Sequence, residues 1–440
     1  MPGYVMGKRL SFKINFVWML GGNIFYAACQ WAMLVIIAKL GDPEMVGRFV
    51  LGLALSAPVI MFSNLNLRLV LATDSRKTYS FHSYLALRLI SAPLAALVIA
   101  GIALFMGYPL ETTLVVIVVG AAKAFEATSD IYYGLMQFHE RLDRIAKSMI
   151  LKGFLSLGLL GIGVYMSGSI LWGAIGLACA MALTLFAYDL RSARHVVLLS
   201  GQESEAAAES ALTPHWDAHL LWQLALFTLP LGVMVLLQSL NTNIPRFFIE
   251  RYLGEHSLGI FAALAYVMVA GTTMVRALGH SLSPVMARYY NDGRRKSFYR
   301  SIAFLLAAGI GIGLAGMGIA ALAGRWILRI MYTPEYANHA SLFVYIMFAS
   351  LFLFVAQLLD YALAVVRNFH AQMTLAIVVS GVTLLLSFWR IPRAGLWGAS
   401  QALLWGGVVK VLGNLGILAL SARKKSSQRA PGVLPIDILT

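Results

Sequence analysis

"AKLGDPEMVGRFVLGLAL" at residues 38–55 and "ERYLGEHSLGIFAALAYV" at residues 250–267 are two versions of one pattern. Leu40-Gly41 and Leu253-Gly254 start matching turns, and Gly47-Arg48-Phe49 and Gly259-Ile260-Phe261 open the apolar runs that follow. A basic loop then closes each pair, Arg76-Lys77 in one and Arg294-Arg295-Lys296 in the other. Leu-Gly and Gly-x-Phe steps are common in apolar chains, but agreement in spacing, loop charge and number of apolar runs together marks an internal repeat. The fold is therefore decided by what one copy is.

One copy is built for a membrane. The 440 residues are 60% hydrophobic and 12% charged, with mean hydropathy +0.77, against roughly 25% charged residues in soluble domains. Apolar runs of about 20 residues, enough to cross some 30 Å of hydrocarbon, are expected near 13–38, 45–72, 81–106, 111–136, 142–166, 170–190, 218–250, 258–288, 297–322, 340–366, 369–390 and 395–421. The polar stretch "RHVVLLSGQESEAAAESALTPHWD" separates six of these from six. The expected organisation is an all-α integral membrane protein: an N-terminal six-helix bundle at 1–193, a cytoplasmic linker at 194–217, a second bundle at 218–421 and a cytoplasmic basic tail at 422–440. Six spans per copy return the chain to the same side, so the copies share one orientation and are related by a pseudo-twofold along the membrane normal. Two such bundles can rock about a shared interface and expose a central cavity to either side in turn.

A net charge of +15 raises nucleic acid as a partner, but the position of the charge excludes it. The N-terminus (Lys8, Arg9, Lys13), the even-numbered loops and the C-terminus (Arg423, Lys424, Lys425, Arg429) hold about three times the Lys and Arg of the odd-numbered loops. Both termini are thus expected in the cytoplasm. The first apolar run is a full span without a small-residue cleavage site, so no signal peptide is expected. Cys29 and Cys179 fall within spans and read as two buried thiols.

The fourth span carries "GAAKAFEATSDIYYG" at residues 120–134. At 100° per residue Lys123 and Asp130 lie within about 20° of each other and Glu126 about 60° away, a polar stripe continued by Gln137. A central charge costs about 2.5–3.5 kcal/mol on insertion scales and an apolar residue returns about 0.3–0.6, so the stripe must face protein or water. Two readings fit: a self-neutralising network that locks this helix to a neighbour, or the lining of a hydrated cavity in which Lys123 meets an anionic substrate. In the second reading Glu126, Asp130 or Asp360 couples transport to H+ or Na+. Companions for the cavity are Asn23 and Gln30 on the first span, Asn241, Asn243 and Arg246 on the seventh, Arg276 and His280 on the eighth, Gln357 on the tenth, and Lys410 and Asn414 on the twelfth. Snorkelling is the plainer account of Arg246 and Lys410, and His280 by itself reads as an ordinary satisfied polar residue. Pro230 and Pro245 are expected to kink the seventh span. The cations Lys123, Arg246, Arg276 and Lys410 slightly outnumber the anions, so the cavity suits a phosphate-bearing head group rich in hydroxyls.

No phosphate-loop motif, H-E-x-x-H or Cys/His metal pattern occurs, and neither a cofactor nor a metal is expected. A membrane enzyme using Glu126 and Asp130 is the remaining chemical reading, opposed by loops too short to surround a large acceptor.

The segment "GLMQFHERLDRIAKSMILKGFLSL" at residues 134–157 resembles the signature of the polysaccharide transporter family, the Wzx-type flippases of the MATE-like exporter superfamily, through Gln137, Arg141, Asp143, Ile145, Ala146, Ser148 and Gly153. Lys152 stands where that family usually has Arg. "SLNTNIPRFFIERYLG" at 239–254 is similar to its seventh helix, through Asn243, Pro245 and Arg246. The G-x-x-x-D-R-x-G-R-R pattern of major facilitators is missing from "ATDSRKTYSFH". The resemblance implies a MATE-like fold in the bacterial inner membrane and a flippase for polyprenyl-diphosphate-linked oligosaccharide, serving O-antigen, capsule or exopolysaccharide synthesis. Its implied partners are that lipid-linked oligosaccharide, membrane lipids, and a polysaccharide polymerase with chain-length regulators. The alternative is a cation-coupled multidrug exporter of the MATE type, for which buried acids should dominate the cavity.

Overall fold

A computed structural model describes residues 12–74, 79–199, 212–366 and 369–427. Lys8, Arg9, Arg76, Lys77, Arg429 and residues 200–211 of the expected linker lie outside the described residues.

The described chain is helical throughout its long elements. We name them α1 (Phe12–Leu40), α2 (Pro43–Thr73, interrupted at 64–66), α3 (Phe81–Phe105), α4 (Leu110–Phe138), α5 (Leu142–Ser167) and α6 (170–199). Helices α7 (218–253) and α8 (255–291), α9 (Arg295–Met331), α10 (Ala340–Val366), α11 (369–394) and α12 (396–427) follow. The α7–α8 and α11–α12 pairs run on without a loop, and each changes direction at one glycine, Gly254 (φ 81°) and Gly395 (φ 57°). Only a residue without Cβ adopts these angles cheaply. The backbone keeps helical dihedrals through Pro230 and Pro245 and leaves helical geometry at Gly254.

Local chemistry sets the other ends. Asp42 caps α2 by accepting from the Met45 amide, with Pro43 in the first turn. Ser169 caps α6 and Asp217 caps α7 in the same way. Helix α6 does not stop near 190: a π turn at Leu185–Asp189 is followed by another helical stretch, Leu190–Leu199. Ala193, Val196 and Val197 bury themselves in the bundle and hold this stretch in place, so the linker begins later than residue 194. Cys29 is buried, whereas Cys179 is exposed on α6, a surface that fronts lipid in a spanning helix.

We call the end of the bundle that holds the chain termini proximal and the other end distal. The largest apolar cluster lies distally and belongs to both halves, with Val46, Phe49 and Leu51 of α2 packed with Leu258, Phe261 and Leu264 of α8. Proximally the apolar packing divides. One cluster joins Tyr84, Ile131 and Val196 to Leu221 and Leu224 at the start of α7, and a separate one joins Val275, Phe298, Phe354 and Leu359 of the second half. The halves thus share one large core distally, whereas proximally only the start of α7 joins the first half's cluster and the rest of the second half keeps its own. Burial of these side chains, at about 25 cal/mol per Å2 of apolar surface, therefore holds the distal end together. We call the proximal region between the two halves, where, α7 apart, they share no buried apolar cluster among the described residues, the gap.

Candidate functional site

The stripe on α4 lies beside this gap, and each of its charges has a partner. Lys123 Nζ donates to Glu126 Oε2 at 2.7 Å, one turn along the same helix. The Tyr26 hydroxyl of α1 donates to the other oxygen of Glu126 at 2.6 Å. Asp130 pairs at 2.9 Å with Arg68, from the segment of α2 beyond its break, and Arg68 also donates to Gln137 at 3.2 Å. These four charged side chains keep 22–30% of their surface exposed. A partly exposed pair contributes at most about 1 kcal/mol and does not offset the cost of a charge in hydrocarbon. Their open side therefore faces the gap.

Behind the stripe is a cluster that the sequence did not announce. Lys152 of α5 and Asp189 in the π turn of α6 are fully buried, 4.0 Å apart. Lys152 donates to the Tyr133 hydroxyl at 3.0 Å, Tyr133 to Ser148 at 2.6 Å, and Ser148 to Asp189, a one-way chain from ammonium to carboxylate. Arg88 of α3 is also fully buried, held by the side chain and carbonyl of Asn64 where α2 breaks, with Leu65 and Asn66 in the left-handed region. The available signal was a single charge inside an apolar run, "LALRLI" or "LFAYDL", which needs a partner wherever it sits.

The second half arranges its charges differently. Lys410 and Asp360, expected to serve separately as cavity cation and coupling carboxylate, bond to each other at 2.6 Å, with Asn414 donating to Asp360 at 2.9 Å. Arg246 donates to Asn243 at 3.1 Å and has no carboxylate within ion-pair distance among the described residues. Arg276 is exposed on α8, also without such a partner among the described residues. One turn on, Tyr361 meets His280 at 3.4 Å. Gln30 accepts from Tyr266 of α8 at 3.4 Å, and Tyr266 lies within electrostatic range of both Arg246 and Glu126. Asn23 donates back to its own helix at Met19. Around the gap Lys123–Glu126, Arg68–Asp130 and Lys410–Asp360 thus cancel, and the charge left over is positive, on Arg246 and Arg276.

Distally the halves are clamped. Arg48 of α2 bonds Glu255 of α8 at 2.8 Å and Glu111 of α4 at 2.5 Å, while Thr112 also donates to Glu255 at 2.5 Å. Tyr108 donates to Glu250 at 3.2 Å, and Trp31 of α1 to the Tyr332 hydroxyl at 3.1 Å.

Three comparisons bear on this arrangement. The family profile described as MatE matches residues 230–389. The capsular polysaccharide biosynthesis protein CapF of Staphylococcus aureus is 26% identical over 396 residues, covering 88% of this chain and 94% of that protein. Among solved structures, an inward-facing multidrug resistance MATE family transporter of the MOP superfamily superposes with a TM-score of 0.71 at 15% identity, over 91% of this chain and 96% of that one. The lipid II flippase MurJ, in an inward closed conformation, gives 0.68 at 14% identity over 90% and 86%. An outward-facing MATE transporter gives 0.61 at 16% identity over 93% and 95%. The fold is MATE-like, and the relative in sequence is a capsular polysaccharide biosynthesis protein.

Proposed function

We propose that this MATE-like multi-pass membrane protein is a flippase that carries a polyprenyl-diphosphate-linked oligosaccharide across the bacterial inner membrane for surface polysaccharide assembly. The observation that carries the reading is the charge left over around the gap: among the described residues Glu126, Asp130 and Asp360 each have a basic partner, while Arg246 and Arg276 have no carboxylate within ion-pair distance. Two guanidinium groups facing a wet gap suit a diphosphate, and the polyprenyl chain stays in lipid between the halves. Taking the proximal end as cytoplasmic, the clamp at Arg48 keeps the cargo from the far side until the halves rock. The product is then offered to a polymerase and its chain-length regulators. A multidrug exporter for cationic compounds is disfavoured, because its cargo would meet unpaired arginines in place of unpaired acids.

Deletion of the gene tests this directly. The expected result is loss of a surface glycan with build-up of lipid-linked oligosaccharide on the inner leaflet, restored by the wild-type gene. An intact glycan together with new sensitivity to cationic toxins overturns it.

A further inference from the structure

The turn between α11 and α12 carries a cationic feature that transport does not use. At the distal end of α11 the guanidinium carbons of Arg390 and Arg393 lie 5.3 and 5.2 Å from the ring centre of Trp389. Each is tied down: Arg390 Nε donates to Gln401 Oε1 of α12 at 2.7 Å, and Arg393 donates to the Trp389 carbonyl at 2.9 Å. Neither has a carboxylate within ion-pair distance among the described residues. A guanidinium has five N–H donors, so both keep donors free in a fixed orientation, at the end of the bundle where the chain otherwise places few basic residues.

The same face continues as hydrocarbon. Leu385, Trp389 and Arg393 follow at helical intervals along α11, and Leu384, Leu385 and Phe388 are 46%, 67% and 60% exposed. Because the halves are packed together distally, an exposed apolar face there fronts the bilayer and not the gap. A head-binding pair of cations directly above an acyl-sized apolar strip has the order of parts of one molecule, a phospholipid. We propose that the α11–α12 turn is a binding site for an anionic phospholipid, whose phosphate is bridged by Arg390 and Arg393 and whose acyl chains lie along Leu384, Leu385 and Phe388. Trp389 sits between head and chains, with its ring held under the two cations.

The test uses purified full-length protein and native mass spectrometry with phosphatidylglycerol, phosphatidylcholine and a polyprenyl diphosphate offered in equal amounts. Wild type is expected to retain phosphatidylglycerol preferentially, and R390Q/R393Q to lose at least about tenfold of that preference, the scale for hydrogen bonds between charged groups. Arg276→Gln, which faces the gap, is expected to keep the preference. If the double variant does not fold, R393Q alone, which alters one exposed side chain, supplies the comparison. Equal retention of both phospholipids by wild type overturns the proposal, as does a preference that survives the double substitution. A preference shown only toward polyprenyl diphosphate overturns it too, by assigning the site to the cargo.

Discussion

Gly47 and Gly259 contact each other's helices reciprocally. A Cβ built on Gly47 would run into the backbone of Glu255, four residues before Gly259, and a Cβ on Gly259 would run into the backbone of Pro43, four residues before Gly47. Reciprocity of this kind is what a twofold interface produces, here between two copies within one chain. The internal repeat is therefore present as a physical contact, and it sits where the halves close. Gly47→Leu and Gly259→Leu should do equal harm: each prevents the distal end from shutting while expression is retained. Complementation of the deletion and labelling of distal cysteines from the outside should show the same defect for both, and unequal effects would argue against the reciprocal contact.

Arg48 holds Glu44, Glu111 and Glu255 at 2.5, 2.5 and 2.8 Å. Arg48→Gln leaves three carboxylates facing one another across the two halves, so the clamp should open by repulsion. Salt screens like-charge repulsion between partly exposed groups, so the defect should lessen as the ionic strength of the medium is raised. A defect that does not change with salt would show that Arg48 acts by packing alone.

Lys152 and Asp189 are 1% and 0% exposed, so a charge that loses its partner there stays buried. Lys152→Met or Asp189→Asn should each destabilise the protein by about 3–5 kcal/mol, and the double variant by clearly less, because it removes the uncompensated charge. Thermal unfolding of the purified variants in one detergent measures this. Lys152→Arg, the residue usual in the polysaccharide transporters, should be tolerated better than Lys152→Met.

Arg276 and Lys410 separate cargo contact from structure. Arg276 is exposed and without a carboxylate partner among the described residues, so Arg276→Gln should abolish glycan export with little change in thermal stability. Lys410→Gln leaves Asp360 with Asn414 alone and should lower stability first. If both variants lose stability to the same extent and export together, Arg276 has no special role.

Glu126, Asp130 and Asp360 are the coupling candidates, and each is held by a cation. Protonation of one would free Lys123, Arg68 or Lys410, which is the change of charge that coupling to protons requires. Glu126→Gln and Asp130→Asn should flatten the dependence of export on external pH. Well-expressed variants with an unaltered pH profile would remove both from consideration.

Much of the fold was legible because hydropathy and repeat spacing are local properties. A run of about 20 apolar residues has one low-cost fate in a bilayer, and "LGDPEMVGRF" set beside "LGEHSLGIF" carried the duplication without coordinates. Less was legible where an element's end depends on what it packs against. Helix α6 continues past Asp189 because Val196 and Val197 find a buried surface, and α7 gives way to α8 at Gly254, where a residue without Cβ takes a left-handed φ, while the helix runs on through Pro245.

The sequence by itself determined that the chain is a duplicated bundle of membrane helices and that certain charges, Lys123 and Arg276 among them, had to be kept from lipid. Only the tertiary structure decided which charges cancel: Arg68 with Asp130, Lys152 with Asp189 and Lys410 with Asp360. The reason is geometric. An insertion cost is set by one residue and its depth, whereas an ion pair needs two side chains within about 4 Å, and that depends on how each helix is rotated and broken against its neighbours. Arg246 and Arg276 acquire their meaning from that pairing, as cations beside it that have no carboxylate within ion-pair distance among the described residues.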